Sequence, residues 1–325
     1  MTKAIGLLSG GLDSILATRL LQNQGINILA ITFQTPFFGI QWARNAAAQL
    51  KVPLQTIDIF DEHLQLVRNP RYGYGKNMNP CIDCHIVMLK QAGGLLEREG
   101  CDFVYTGEVL GQRPMSQNKQ ALRLVARGSG YEDLILRPLS AKLLPETRPE
   151  REGKVDREKL LDIQGRSRKR QLALANRLGI RDFPGPAGGC LLTDPAFSRR
   201  LRDVIAHQDE VQIRDIELLK VGRQFRLGNG TKVVIGRYKE ENERILELAK
   251  EGDVVATVAD YPGPIALIPG GTTKLSREVA ASLCVRYSDA PDDLSVSVLL
   301  EEKGRGEERL ESQACARETC EELII

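Results

Sequence analysis

Near its start the chain carries Ser9-Gly10-Gly11-Leu12-Asp13-Ser14, set between an apolar stretch, Ala4–Leu8, and a stretch with apolar residues at helical spacing, Ser14–Gln24. Adjacent glycines at a strand–helix turn allow backbone conformations and close approaches that side chains block. The exposed N–H groups and the helix N-terminus then present partial positive charge to an anion. Ser9 and Ser14 add hydroxyls, and Asp13 is placed to orient a metal bound to phosphate. The Gly-Lys-Ser/Thr ending of the Walker loop is missing. An ordinary strand–helix connection is the bland alternative.

The residues after the loop fit an α/β domain. Ile26–Phe33 and Pro53–Phe60 read as buried strands, and Trp42–Lys51 between them as an alanine-rich helix. Ile82–Glu99 is helical, Cys101–Thr106 and Leu134–Pro138 are strands, and 155–179 holds one or two basic helices. The alternation predicts a mostly parallel sheet with right-handed crossovers. Pro70–Pro80 lacks periodicity and is expected to be an ordered loop or lid. The texture changes after Arg202. Glu217–Phe225 and Lys232–Gly236 around Asn229-Gly230 suggest a hairpin, followed by a helix at Lys239–Lys250 and short strands at Val254–Val258 and Ile265–Ile268. The expected division is 1–205, a smaller α+β domain at 206–290, and a charged segment at 291–325 whose final 25 residues are expected to fray.

At 325 residues, with 42% hydrophobic and 27% charged side chains, the chain has room for two cores. No apolar run approaches the ~18 residues that cross a bilayer. The start, Met1-Thr2-Lys3, leads straight into a strand without a secretory pattern, so a cytoplasmic location is expected, with no membrane partner. In a reducing compartment the seven cysteines are read as metal-binding, redox-active or core residues before disulfides. The net charge of +2 is too small to demand a polyanion. Its distribution says more: between Gln164 and Arg181 six basic residues, Arg166, Arg168, Lys169, Arg170, Arg177 and Arg181, precede the first acid, Asp182.

Ser9–Ser14 resembles the signature of the PP-loop ATP pyrophosphatases, which cleave ATP between the α and β phosphates. A second set of residues narrows this: Thr106-Gly107-Glu108-Val109-Leu110-Gly111-Gln112, Ser116-Gln117, and Ile135-Leu136-Arg137-Pro138-Leu139. Together they resemble the PP-loop domain of the tRNA 4-thiouridine synthetases and related tRNA thiouridylases, over roughly residues 1–200. The resemblance implies that Ser9, Gly10, Gly11, Asp13, Ser14, Gly107, Glu108, Gln112 and Arg137 bind ATP or line the substrate face. The bland reading is that Thr106-Gly107 only ends a strand and that Arg137 pairs at the surface. Phe33, Phe37 and Phe38 follow the second strand, where adenine could rest or where they simply pack; Phe33 is taken with the ATP set. The synthetases of this kind carry an RNA-binding region before the loop, so either RNA capture comes from elsewhere or the substrate is not RNA.

Asn79-Pro80-Cys81-Ile82-Asp83-Cys84-His85 places a Cys-x-x-Cys at a helix start, and Cys190 ends the glycine-rich Gly185-Pro186-Ala187-Gly188-Gly189-Cys190. Two thiolates from one turn and a third from a distant loop suit three-point ligation of a [4Fe–4S] cluster with one iron open to sulfide. The arrangement is similar to that of cluster-dependent tRNA thiolation enzymes. Two alternatives stay open: zinc with His85 as fourth ligand, or persulfide chemistry resolved as a disulfide. Cys101 and Cys284 are read as core. Cys315 and Cys320 fall in the charged tail without an assigned role, sulfur delivery being the one option. His63 and His207 are read as surface or satisfied histidines, and Trp42 as helix packing.

Val233-Val234-Ile235-Gly236-Arg237-Tyr238-Lys239-Glu240-Glu241-Asn242, with Asp253-Val254-Val255 and Pro262-Gly263-Pro264, resembles the RNA-binding domain of the NFACT family. The resemblance implies phosphate contacts by Arg237 and Lys239, beside those expected of Arg166, Arg168, Lys169 and Arg170. The combined expectation is an ATP-dependent tRNA sulfurtransferase. ATP, Mg2+ and the cluster on Cys81, Cys84 and Cys190 are its cofactors, and tRNA and a sulfide or persulfide donor its partners, with Asp13 and the three cysteines catalytic. The oligomeric state is left open, a homodimer being one option. The alternatives are a PP-loop enzyme activating a small molecule or protein carboxylate, and an RNA-binding protein with a degenerate loop.

Overall fold

The computed structural model describes residues 1–185, 189–270 and 273–325. The chain divides into two units, Met1–Thr193 and Asp194–Ile325. That division lies N-terminal to the boundary read from the sequence, because the helix Pro195–His207 belongs to the second unit.

In the first unit β1 (Lys3–Leu7), β2 (Asn27–Gln34), β3 (Leu54–Asp58), β4 (Phe103–Tyr105) and β5 (Ile135–Leu136) form a five-stranded sheet in the order β3-β2-β1-β4-β5. Every pairing is parallel. Parallel strands are covered on both faces and so read as nearly unbroken apolar runs. One face packs Ala4, Ala30, Phe103 and Tyr105 against α1 (Leu12–Gln22), α2 (Gln41–Leu50) and, after α6 (Arg148–Arg151), α7 (Lys169–Arg177). The other packs Ile5, Ile31, Phe33 and Val104 against α4 (Cys81–Gly94) and α5 (Lys119–Ser129), with α3 (Phe60–Arg68) beside α4. Truncating a fully buried leucine such as Leu16 here is expected to cost about 2–5 kcal/mol.

This strand order decides where a ligand fits. The chain runs outward from β1 to β3 and then returns to β4 on the other side of β1. Connections therefore diverge at the carboxyl ends of β1 and β4, where open α/β sheets hold their ligands. The Ser9–Ser14 loop follows β1 and Thr106–Glu108 follows β4.

The second unit is a six-stranded sheet, β11-β10-β8-β9-β7-β6, antiparallel throughout. Its strands are β6 (Arg223–Arg226), β7 (Lys232–Ile235), β8 (Val254–Val258), β9 (Ala266–Ile268), β10 (Val296–Glu302) and β11 (Gly306–Ser312). Its helices are α8 (Pro195–His207), α9 (Ile213–Leu219), α10 (Lys239–Leu248), α11 (Lys274–Arg286) and α12 (Arg317–Leu323). Alternate residues face opposite layers: Val233, Ile235 and Ala256 join a core with α11, while Val234 and Val255 join Leu218 and Ile245.

Several expectations change. Glu217–Leu219 end a helix, not a strand: Gln212 and Asp215 form a capping box at its start, and Ile216, Leu218 and Leu219 are buried. In 155–179 only Lys169–Arg177 is α-helical. The final 25 residues are no frayed tail: they hold β11 and α12. Val296, Val298 and Leu300 alternate into the core from β10, which pairs with β8 and β11, so an acidic composition concealed a two-period strand. Cys315 and Cys320 are buried in that same core. Among the described residues no helix is long and apolar enough to cross a membrane.

Candidate functional site

The phosphate loop is built mainly from backbone. Gly10 has φ +79°, and a Cβ there would lie 2.2 Å from the carbonyl carbon of Trp42. Any side chain would be strained by the dihedral and blocked by α2. Trp42, read as helix packing, in fact offers the loop its backbone, and the residue is 46% exposed. Gly11 N–H donates to Ser9 Oγ at 3.3 Å, and Ser14 Oγ donates to Gly11 O at 2.8 Å. No side chain caps the N-terminus of α1, so its first N–H groups are available to an anion. Gly107 meets this turn from β4: a Cβ there would sit 2.5 Å from Ser14 N.

Asp13 is turned into the site. Gln112 Nε2 donates to Asp13 Oδ2 at 2.7 Å, and Gln171 Nε2 donates to Gln112 Oε1 at 3.2 Å. Asp13 Oδ1 is buried and takes no hydrogen bond among the described residues. Burial pushes its pKa up, against the opposing effects of the Gln112 bond and the Arg168 and Arg113 guanidinium groups. A buried carboxylate oxygen without a partner beside a phosphate loop suits a magnesium ligand.

Glu108 and Arg137 are engaged with each other. Arg137 Nε donates to Glu108 Oε2 at 2.8 Å, and His85 Nδ1 lies 2.8 Å from Glu108 Oε1. Thr106 Oγ1 also donates to Glu108 Oε2, at 3.0 Å, and Arg137 Nη2 donates to Leu122 O at 3.1 Å. Burial opposes the Glu108 charge, but Arg137 and His85 hold its carboxyl far below the usual range. The pair is thus a buried tie between the ends of β4 and β5, where the sequence suggested ligand-facing groups or a surface pair. Phe33 is buried in the core among Ile5, Ile31 and Ile59.

Two remote segments are stitched together at the cysteines. Leu191 N–H donates to Phe37 O at 3.0 Å, Met78 N–H to Leu192 O at 3.1 Å, and Asn77 Nδ2 to Thr193 O at 2.7 Å. These bonds carry Cys190 to the start of α4, where Cys81 Sγ donates to Asn79 Oδ1 at 2.9 Å. Burial, then the neighbouring Cys190 and Cys81 sulfurs, push the Cys84 thiol well up, and burial pushes Cys190 up to about 11. Pro186, Ala187 and Gly188 of the glycine-rich loop lie outside the described residues. Among the described residues no cluster of three or more Cys, His, Asp or Glu side chains is gathered as a metal site. His85, considered as a fourth ligand, is instead bonded to Glu108.

The platform beneath is a buried histidine. His63 is neither on the surface nor satisfied: its ring is buried 5.3 Å from Phe37 and 5.7 Å from Phe38, with no partner for Nδ1 among the described residues. Burial pushes its pKa down to about 4. His207 Nδ1, by contrast, lies 2.8 Å from Asp203 O.

The cationic residues separate. Arg166 and Lys169 are exposed, Arg170 pairs with Asp162 at 2.5 Å, and Arg168 is partly buried, its charge favouring the ionised form of Asp13. In the second unit Arg237 is paired with the buried Glu241, its Nε 3.0 Å from Oε2, and lies over the Tyr238 ring; Lys239 is exposed. Other residues of the motif there are architectural. A Cβ at Gly236 would collide with Asn242 Oδ1, which accepts Ile265 N–H at 3.0 Å. Asp253, wholly buried, pairs with Arg214 and accepts the N–H groups of Lys250 at 2.9 Å and Gly270 at 3.0 Å.

Residues 1–142 match the family model described as thiamine biosynthesis protein (ThiI), and residues 222–324 match the NFACT protein RNA binding domain. The chain resembles ThiI at its start and the NFACT RNA-binding domain at its end. The tRNA-specific 2-thiouridylase MnmA of Syntrophotalea carbinolica is 31% identical over 143 residues, 38% of this chain and 38% of that protein. The same enzyme from a Bradyrhizobium species is 29% identical over 145 residues, 38% of this chain and 36% of its own. The chain therefore spans well under half the length of these relatives. A 4-thiouridine synthetase–RNA complex with bound ATP is 24% identical, covering 55% of this chain and 41% of that one, with a TM-score of 0.37.

Gln171, Arg113 and Asn79 were not singled out in the sequence. Arg113 and Asn79 adjoin motif residues, which is the one signal that could have found them; Gln171 sits in a basic helix and carries none.

Proposed function

We propose that this chain is an ATP-dependent tRNA sulfurtransferase that adenylates a base oxygen and replaces it with sulfur. The observation that carries this reading is that one short segment joins the phosphate loop to the start of α4: Gly107 abuts Ser14 N, and the next residue, Glu108, is bonded to His85, which follows Cys84. The exposed Arg113 guanidinium favours the ionised forms of Asp13, Cys81 and Cys190 alike, although burial opposes ionisation at all three. The matches to ThiI and to the MnmA thiouridylases support the same reaction, and the NFACT-like segment supports an RNA substrate.

Ser9, Gly10, Gly11 and Ser14 hold the phosphates by backbone N–H and hydroxyl groups, and Asp13 would hold magnesium, which offsets the phosphate charge. The base oxygen attacks the α-phosphate, its bond forming as the bond to pyrophosphate breaks. Sulfide sulfur then adds to the base carbon and AMP leaves with the original oxygen. Cys81, Cys84 and Cys190 would hold a [4Fe–4S] cluster, which when bound supplies a position for sulfide. The three thiols lie on segments tied by hydrogen bonds but are not gathered as a metal site among the described residues; binding iron would draw them together and deprotonate them despite their raised pKa. Arg166, Lys169, Arg237 and Lys239 contact RNA phosphates in this reading.

Nucleosides from a strain lacking this protein, analysed by mass spectrometry, should lose one thiolated species, restored by the parent gene and not by a Cys190→Ala copy. An unchanged nucleoside profile would sink the reaction. A protein that stays colourless after anaerobic iron–sulfur reconstitution would remove the cluster alone.

A further inference from the structure

Two stretches of the first unit, residues 63–82 and 109–131, contain no acid at all. Their cations Arg71, Lys76, Arg113 and Lys119 are exposed and enter no ion pair among the described residues. Arg127, Arg148 and Arg151, by contrast, are each paired with an acid. The two stretches also meet. A Cβ at Gly75 would lie 4.0 Å from Met115 Cβ, and Gly75 N–H donates at 2.8 Å to the carbonyl of Asn79, whose side chain accepts Cys81 Sγ. In the other direction the second stretch reaches the phosphate loop through the Gln112–Asp13 bond.

What these segments show to solvent is aromatic and apolar. Tyr72, Tyr74 and Met115 are 36%, 39% and 63% exposed. Single exposed apolar side chains are ordinary, but these three sit on segments that touch. The tyrosines are also held in place. Tyr72 N–H donates at 3.1 Å to Oδ2 of Asp83, which lies between Cys81 and Cys84, and the Tyr74 hydroxyl donates to Val67 O at 2.6 Å. The Arg71 guanidinium lies 5.4 Å from the centroid of the Tyr72 ring. Anchored rings lose little freedom when a flat ligand settles on them.

We propose that Tyr72, Tyr74 and Met115 form a stacking platform for unpaired nucleotides, so that the RNA reaching Cys81 is single-stranded there. The inference rests on the reading of this chain as an enzyme acting on RNA, and it adds which form of RNA the site takes. Cations without acid partners follow a phosphate backbone, and aromatic rings beside them stack on bases of any sequence. A duplex keeps its base faces covered, so only looped-out or single-stranded bases offer a face to a tyrosine. Chemistry on a base also needs that base out of its stack. The four unpaired cations favour this polyanion over a protein, such as a sulfur carrier, as the occupant.

The test uses the full chain with a labelled single strand of roughly 12 nucleotides carrying 5-iodouridine, and with a duplex of the same sequence. Photo-cross-linking and peptide mass spectrometry should place the single strand on Tyr72 or Tyr74. By fluorescence anisotropy, Tyr72→Ala should weaken the single strand about tenfold and leave the duplex within about twofold, while Tyr72→Trp keeps the parent affinity. If Tyr72→Ala does not fold, Tyr72→Leu, which keeps bulk without the ring, should still weaken the single strand severalfold. Arg71→Met should make the salt dependence shallower, whereas Tyr72→Ala should not. The proposal is overturned if cross-links fall only outside residues 70–80 and 113–115, or if the Tyr72→Ala and Tyr72→Leu chains bind the single strand within about twofold of the parent. Equal loss of single strand and duplex would overturn it too. Unchanged RNA binding with slower sulfur uptake from a carrier protein would give the surface to that protein instead. Neither ATP nor sulfur enters the binding runs. A chain that holds the strand through Tyr72 but thiolates no RNA would thus refute the proposed reaction and leave the platform standing.

Discussion

The phosphate loop and the cysteine centre lie in one unit and are made in opposite ways. The loop is six consecutive residues, with Gly10 where α2 presses closest and Gly107, after β4, meeting it at Ser14. The cysteine centre joins Cys81 and Cys84 to Cys190 across a hundred residues, held by three hydrogen bonds: Leu191 N–H donates to Phe37 O, and Met78 N–H and Asn77 Nδ2 donate to the Leu192 and Thr193 carbonyls. A locally built site tolerates loosening of the rest of the unit. One assembled from remote segments depends on every strand and turn between them.

The sharpest break between the two is Cys190→Ala. It should lower sulfur transfer roughly a thousandfold or more while ATP affinity, by equilibrium binding, stays within about twofold, as expected when one member of a catalytic set is removed. Equal loss of both would mean that the two centres are one.

Next in size is Glu108→Ala, which leaves Arg137 buried without its carboxylate. Urea unfolding should show a loss of about 3–5 kcal/mol, the typical cost of removing one partner of a buried ion pair. A near-neutral result would return Glu108 to a purely ligand-facing role. Because the Glu108 pKa is depressed in the folded state, its contribution is present above the ordinary carboxylate range and fades as the pH falls below it.

His63 gives a pH test that touches only one centre. Its folded pKa of about 4 lies below the 6.5 of an unfolded histidine. The unfolded chain therefore binds more protons between these values, and stability is full above 6.5 and drains as the pH falls toward 4, by roughly 3 kcal/mol in all. Since His63 packs on Phe37, whose carbonyl anchors Leu191, amide exchange on acidification should quicken at 190–193 before it does at 9–14. His63→Leu should flatten that pH slope. The smallest effect is that of Gly107→Ala, whose Cβ intrudes on Ser14. A loss of about 1–3 kcal/mol is expected, read as a rise in the Kd for ATP with no change at the cysteines.

Much of the first unit was legible from the sequence. Hydrophobic runs placed β1 to β3 and the helices between them, since buried parallel strands have no other way to be made. The short strands β4 and β5 were overestimated because flanking apolar residues continue the pattern after the pairing stops. In the second unit, acidic residues masked the β10–β11 hairpin, where only every second side chain of β10 needs to be apolar. Gly236, Asn242 and Asp253 were legible as a motif, but not as packing residues, because a motif shows which residues recur together and not what each touches.

At the site, the sequence alone determined the phosphate loop, since two glycines, flanking hydroxyls and a helix start define a conformation within a few residues. It also determined that Cys81 and Cys84 share one helical turn. Only the tertiary structure decided that Glu108 faces Arg137 and His85, that Arg168 parts company with its basic neighbours, and that Gln171 reaches Asp13 through Gln112. Those contacts join residues from 23 to 99 positions apart. Their existence depends on β4 returning beside β1, and strand order is a property of the whole sheet that no local pattern encodes.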